Sequence, residues 1–299
     1  MAGPIAAVAA SERRAEAVAA SLPPLMVAAE RVAATVAQGL HGRRRIGVGE
    51  TFWQFRRYEF GDAAARIDWR QSAKTQNLYV RENEWEAAQT VWLWRDGSAS
   101  MRYASSDALP SKAERAELLL LALASLLIRG GERIVLLDSE IAPGANRATL
   151  TRMADALLRQ SGDDDLPSLP SLQRLPRFAH MVWFADFLSP LDEIEAQVRG
   201  FAAQHVRGHL VQIMDPAEED LPFRGRTEFQ GLEGEGQFTV GRAEDLRAAW
   251  TRRLNARREA LTNIARRVGW THTLHRTDRP AQAALLPVYV AMSDAGTLP

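Results

Sequence analysis

Three oxygen-bearing side chains stand at alternate positions in one short segment, Asp96-Gly97-Ser98-Ala99-Ser100. Carboxylate and hydroxyl oxygens, without nitrogen or sulfur, are hard donors that suit Mg²⁺ or Mn²⁺. The spacing lets all three converge from one tight loop, and Gly97 and Ala99 keep that loop uncrowded. Mg²⁺ wants near-octahedral coordination and gives up water reluctantly, so two hydroxyls and one or two carboxylates would leave open, water-filled positions. The carboxylate of a partner could take one of them. A further acid is expected from another part of the chain. Met181-Val182-Trp183-Phe184-Ala185-Asp186 repeats the pattern of an apolar run ending in aspartate. The expected metal set is Asp96, Ser98, Ser100 and Asp186. A threonine from a following helix, Thr149 or Thr151, could add a hydroxyl, and Thr151 is favoured. Asp and Ser after a strand are also ordinary helix caps and turn formers. The recurrence at Asp186 tips the balance toward a metal.

The elements around these residues must bring two distant aspartates together. Apolar runs of strand length alternate with segments of helical period from residue 88 onward. Thr90–Trp94, Arg133–Leu137, Ala179–Ala185, His209–Met214 and Trp270–Leu274 read as strands. Lys112–Ile128, Thr149–Arg159, Leu191–Gln204, Leu246–Val268 and Ala281–Met292 read as helices. Strands apolar on both faces, alternating with helices, predict an α/β fold: a doubly wound, mostly parallel, Rossmann-like sheet. In such a sheet the ligand crevice lies beyond the carboxyl ends of the strands, where Asp96 and Asp186 fall. Residues 1–40 read as an N-terminal helical segment, broken at Pro23-Pro24. Residues 41–87 read as a small strand-rich elaboration, pinned by Trp53, Trp69 and Trp85 among charged residues, with a turn at Gly61-Asp62. Residues 88–299 form the main domain, with a glycine-rich hairpin insertion near 216–242, around Thr227–Phe229 and Gln237–Val240.

Composition excludes several functions. Lys plus Arg and Asp plus Glu are both 37, so no net charge draws the 299-residue chain to nucleic acid or an anionic membrane. The absence of cysteine removes disulfides, thiolate metal sites and cysteine nucleophiles together. Ile5–Ala10 is too short and too quickly interrupted for an export signal, and Leu118–Ile128 falls far short of the ~20 residues of a membrane-spanning helix. A soluble, cytoplasmic protein is expected, with neither membrane nor nucleic acid as partner. The run His41-Gly42-Arg43-Arg44-Arg45 reads as a solvated loop. His205 and His209 read as solvated or capping, and the arginines at 252, 253, 257, 258, 266 and 267 as a solvated helix face. Gly231-x-x-Gly234-x-Gly236 lacks the strand–turn–helix setting of a nucleotide loop. Ser98 has no evident histidine base, so no catalytic residue is assigned.

Asp96-Gly97-Ser98-Ala99-Ser100-Met101 resembles the metal-ion-dependent adhesion site of von Willebrand factor A domains. The stretch before it is more telling. Phe55-Arg56-Arg57-Tyr58-Glu59-Phe60-Gly61-Asp62, Arg66-Ile67-Asp68-Trp69-Arg70, Ala73-Lys74 and Arg81-Glu82-Asn83-Glu84 resemble the signature of the bacterial domain of unknown function 58 family, and Ala185-Asp186-Phe187 resembles its Ser-Asp-Phe strand end. The match spans roughly residues 40–215. It implies a von Willebrand factor A-like domain behind a strand-rich elaboration, encoded beside and acting with a MoxR-type AAA+ ATPase in chaperone-like or complex-maturation work. Two residues depart from the family pattern: Ala63 stands where a second aspartate is usual, and Arg95 where an apolar residue is usual. Alternation along the strand should turn Arg95 away from Asp96. Many members carry N-terminal membrane helices, and the resemblance groups this chain with the soluble, short ones.

The expected function is a non-enzymatic, metal-dependent adaptor, with Mg²⁺ (or Mn²⁺) completed by an acidic side chain of the partner. The alternatives are a divalent-metal-dependent phosphoester hydrolase and a metal-free scaffold.

Overall fold

The computed structural model describes residues 23–38, 52–58, 67–74, 77–83, 89–160, 166–234 and 236–294. They fall into two compact units, one within residues 40–88 and one made of the rest. The basic run at 41–45, the Gly61-Asp62 turn and Trp85 lie outside the described residues.

The smaller unit is an antiparallel pair, β1 (Phe52–Arg57) and β2 (Tyr79–Asn83), with a single-turn helix between them, α2 (Trp69–Ser72). Asp68 caps α2 by accepting from the Gln71 amide at 2.9 Å. Trp69 is 65% exposed and so does not pin this unit, contrary to expectation.

The larger unit includes a helix described over residues 23–38 (α1), which buries Met26, Ala29, Ala33 and Val36. The spacing of the four buried residues is that of one helix face.

Five strands build the central sheet: β3 (Thr90–Arg95), β4 (Arg133–Leu136), β5 (His180–Ala185), β6 (Arg207–Met214) and β9 (Thr271–Arg276). Their spatial order is β4-β3-β5-β6-β9, and every pairing is parallel. Numbered within the sheet this is 2-1-3-4-5, so the winding reverses between β3 and β5. The switch point of the sheet lies between the two strands that end in Asp96 and Asp186.

Helices cover both faces. α3 (Lys112–Arg129) meets α4 (Arg147–Gln160) and α8 (Gln282–Asp294) on one side, while α5 (Leu191–Ala202) meets α7 (Arg247–Arg267) on the other. On the α5/α7 side Trp94, Met181, Trp183, Ala185, Phe201, Leu261 and Trp270 share one core. Val182 and Phe184, also buried, alternate with these and point to the α3 layer. α3 buries Leu119–Leu121 and Leu123 on successive positions, because it is enclosed on nearly all sides. A short helix, α6 (Pro216–Asp220), follows β6, and the insertion is a two-stranded hairpin of β7 (Thr227–Gln230) and β8 (Gln237–Val240). Among the described residues no helix is long and apolar enough to cross a membrane.

His209 corrects an expectation. Parallel pairing of β6 with β5 and β9 buries it, 5.9 Å from the His180 ring, with Nδ1 2.7 Å from the Thr271 hydroxyl. Burial then holds its pKa down to about 3. His205 is exposed, as expected, with a left-handed φ of 63° just beyond α5.

Candidate metal centre at the sheet switch point

Asp96 is the first residue beyond β3, and its amide still donates to the Phe184 carbonyl of β5 at 2.9 Å. The backbone direction is thus inherited from the sheet. The Asp96 carboxylate turns back to accept from the Ser98 amide at 2.8 Å, which closes the loop tightly. The Ser98 hydroxyl also hydrogen-bonds this carboxylate and lies 3.1 Å from the Ser100 hydroxyl. Ser100 Oγ in turn donates to Asp186 Oδ2 at 2.7 Å. One continuous chain of contacts therefore joins the two aspartates through the two serines. All four residues are buried, with Asp96 and Asp186 only 1% exposed.

The threonine behaves differently. The Thr151 hydroxyl donates to the Arg147 carbonyl, one turn back in α4, at 3.1 Å. Thr149 is buried beside Gly144, with its hydroxyl 3.1 Å from Asn146 Oδ1. The structure brings Asp96, Ser98, Ser100 and Asp186 together and engages both threonines elsewhere. Arg95 reaches the α3 layer, where it pairs with Glu117 at 3.2 Å, and its guanidinium also donates to the Asp96 carbonyl at 3.3 Å.

Four further residues were not foreseen. Lys112, the first residue of α3, is fully buried and donates from Nζ to Asp186 Oδ2 at 2.8 Å and to Glu218 Oε1 at 2.5 Å. Glu218 lies in the capping box of α6, where its other oxygen accepts from the Asp215 amide at 2.9 Å. Glu233, between β7 and β8, accepts from the Ser100 amide at 3.3 Å. Arg257 of α7, read as solvated, instead donates to the carbonyls of Phe187 and Ser189 and so holds the loop after Asp186. Arg258 beside it pairs with Glu219 at 2.8 Å, while Arg252, Arg253, Arg266 and Arg267 are exposed as expected.

Two signals for these contacts were present in the chain. A lysine at the start of a helix opposes the helix dipole, so Lys112 required a compensating acid from elsewhere. Ile213-Met214-Asp215 is a third apolar strand ending in aspartate, which placed the α6 turn and Glu218 at the same end of the sheet.

The electrostatics of the cluster are those of a cation deficit. Burial, reinforced by the negative charge of Asp186, raises the Asp96 pKa to about 7; hydrogen bonds from Ser98 pull it part of the way back, and Glu233 adds to the rise. Burial opposes the Lys112 ammonium, but Asp186 and Glu218 outweigh it and hold its pKa above the ordinary value. Asp96, Asp186, Glu218 and Glu233 thus face Lys112, the more distant Arg257 and Arg95, so acidic groups outnumber basic ones around the cluster. Among the described residues no three His, Asp or Glu side chains converge on a metal position. The donor set is instead two carboxylates and two hydroxyls, which matches a hard divalent ion that keeps several of its waters. Beside Ser98 a cavity of about 290 Å³ opens, lined by Gly97, Ser98, Arg102, Ser111 and Glu114.

The chain is 26% identical over 273 residues to uncharacterized proteins of Mycobacterium tuberculosis and Mycobacterium bovis, an alignment covering 84% of this chain and 82% of theirs. Solved structures similar to it include an aerotolerance-related membrane protein from Bacteroides fragilis, at 12% identity and a TM-score of 0.43. The conserved hypothetical protein BatB from Bacteroides thetaiotaomicron matches at 13% identity and a TM-score of 0.39. Each match covers 69% of this chain and 100% of the other. Scores this low do not establish a common fold. Residues 54–260 match the family described as protein of unknown function DUF58, and they include both strand-end aspartates, both serines and the contacts around them: the chain belongs to that family.

Proposed function

We propose that this protein is a cytoplasmic, metal-dependent protein-binding adaptor, with a von Willebrand factor A-like main domain, and not an enzyme. One observation carries the reading: Asp96 and Asp186 are joined through Ser98 and Ser100 at the switch point of a parallel sheet, in a cluster with too little positive charge. Asp96, Ser98, Ser100 and Asp186 would hold Mg²⁺ or Mn²⁺, and the bound ion would supply a strong, directional attraction for a carboxylate. The sheet fixes the two aspartates, the Ser98 amide orients Asp96, and Arg257 anchors the loop that carries Asp186. The partner is then a protein presenting an acidic side chain, and the family resemblance nominates a MoxR-type AAA+ ATPase. The Ser98 hydroxyl is engaged by Asp96 and Ser100 rather than by an imidazole base, which disfavours nucleophilic hydrolysis.

A second reading has an observation of its own. The Lys112 ammonium already lies on Asp186 Oδ2, the position a cation would be drawn to. In a metal-free scaffold Lys112 would be the permanent counter-ion.

Calorimetric titration with Mg²⁺ separates the two. Under the adaptor reading wild-type protein gives a one-site isotherm that Asp96→Ala abolishes, and the same substitution removes Mg²⁺-dependent capture of the ATPase while the circular dichroism spectrum stays native. Absence of any Mg²⁺ binding by the wild type would favour the scaffold.

A further inference from the structure

We propose that Lys112 is an exchangeable counter-ion: its ammonium neutralises Asp186 until a divalent ion binds there, and then withdraws onto Glu218 alone. Lys112 would thereby set the affinity of the site and its preference for divalent over monovalent ions. This rests on the metal-dependent reading above.

Asp186 has little acceptor capacity left. Its Oδ1 accepts from the Leu188 amide at 3.1 Å. Its Oδ2 accepts from both Ser100 Oγ at 2.7 Å and Lys112 Nζ at 2.8 Å. A carboxylate oxygen offers about two lone pairs, so these two donors fill Oδ2. That oxygen is the one facing the serines, and an ion held by Asp186 and Ser100 together would need it. The ion would also repel an ammonium resting on the same atom. Lys112 and a divalent ion therefore compete for Asp186.

The ammonium has a second acid to rest on. Glu218 Oε1 already lies 2.5 Å from Nζ. Glu218 is itself held in place: Oε2 accepts from the Asp215 amide at 2.9 Å, and its carbonyl accepts from the Trp250 indole at 2.6 Å. Its neighbour Glu219 pairs with Arg258 of α7 at 2.8 Å. The Lys112 backbone is equally fixed, by its amide bond to the Tyr103 carbonyl at 3.2 Å and by the Ser111–Glu114 capping box. Only the flexible four-carbon stem need turn. The ammonium stays paired throughout, which a fully buried position demands.

Such an exchange sorts ions by charge. Replacing the ammonium at Asp186 by Na⁺ swaps one positive charge for another and gains little. A divalent ion adds charge to a cluster in which acids outnumber bases.

Wild type, Lys112→Met and Asp96→Ala are titrated calorimetrically with Mg²⁺ at pH 8, in NaCl and in tetramethylammonium chloride of equal ionic strength. Lys112→Met keeps the length of the side chain and removes its charge. In tetramethylammonium chloride it should bind Mg²⁺ at least about tenfold more tightly than wild type. Na⁺ should weaken that binding about threefold in Lys112→Met and leave wild type unchanged. A crystal structure of the Mg²⁺-loaded wild type should show Nζ on Glu218 and off Asp186, and it decides the question if Lys112→Met does not fold. Three results would each overturn the exchange while leaving the adaptor reading standing, provided Asp96-dependent binding persists: no gain in affinity for Lys112→Met, equal Na⁺ sensitivity of the two proteins, or Nζ still on Asp186 in the loaded crystal. Absence of Asp96-dependent Mg²⁺ binding by the wild type overturns both.

Discussion

At the scale of the residue, the Asp96 carboxyl couples ion binding to pH. Without an ion its pKa is held near 7 by burial and by Asp186. A divalent ion requires the carboxylate, so binding below pH 7 must displace a proton. The sign follows: Mg²⁺ affinity rises with pH up to about 7 and levels off above it. Between pH 8 and pH 6 the association constant should fall about tenfold, with a proton released on binding at the lower pH. Calorimetry in buffers of different ionisation enthalpy reads both quantities, and a flat affinity across this range would rule out Asp96 as the titrating ligand. Lys112 belongs to the same scale. Its charge is directed at Asp186 and Glu218, while the Asp96 carboxylate accepts from Ser98 and the Asp96 carbonyl from Arg95.

At the scale of the element, the site depends on strands laid down in a fixed register, and Gly208 shows how tightly that register is packed. It lies in β6 opposite Met181 of β5, and a Cβ there would come 2.1 Å from the Trp270 ring. Trp270 is itself held by a 2.9 Å bond from its indole nitrogen to the Val206 carbonyl, so it cannot swing aside freely. Gly208→Ala should lower the unfolding free energy by about 1–3 kcal/mol, the usual effect of overpacking a filled core. Chemical denaturation of the two proteins checks this, and an unchanged midpoint would mean that the Trp270 ring relaxes at no cost. Since β6 leads directly into Asp215 and α6, the same variant should also loosen Glu218 from Lys112.

For the molecule as a whole, buried histidines set the acid limit of stability. Burial lowers the pKa of His180 to about 4, of His209 to about 3, and of His272 and His275 to about 4. In the unfolded chain each titrates near 6.5. Between pH 6.5 and 4 the unfolded state therefore binds more protons, and stability falls as the pH drops through that window. Asp96 has the opposite sign, because its raised folded pKa favours the folded state as pH falls from about 7, so it masks part of the loss. A difference between proteins removes the masking. His180→Phe retains the ring that stacks on His209 and should be spared on the order of 2–3 kcal/mol of the wild-type loss between pH 6.5 and 4. Parallel stability-versus-pH curves for the two would show that His180 is not held neutral by the fold.

The chain carries its α/β character openly, because runs such as His180–Ala185 are buried on both faces and must be covered by helices, whose own periodicity is equally plain. The loop oxygens of Asp96, Ser98 and Ser100 were legible for the same local reason: two-residue spacing within one tight turn needs no distant information. Asp186 was legible only as a type, an acid at a strand end. Its place beside β3 came from the 2-1-3-4-5 strand order, which depends on how crossover helices pack and leaves no mark in any one segment. Thr151 illustrates the limit, since a hydroxyl at the right distance along the chain was claimed by the carbonyl of its own helix. His209, Lys112 and Arg257 illustrate it further. Whether such a side chain meets solvent or a buried partner is decided by non-local pairing, and that pairing exists only once the sheet has closed over both faces.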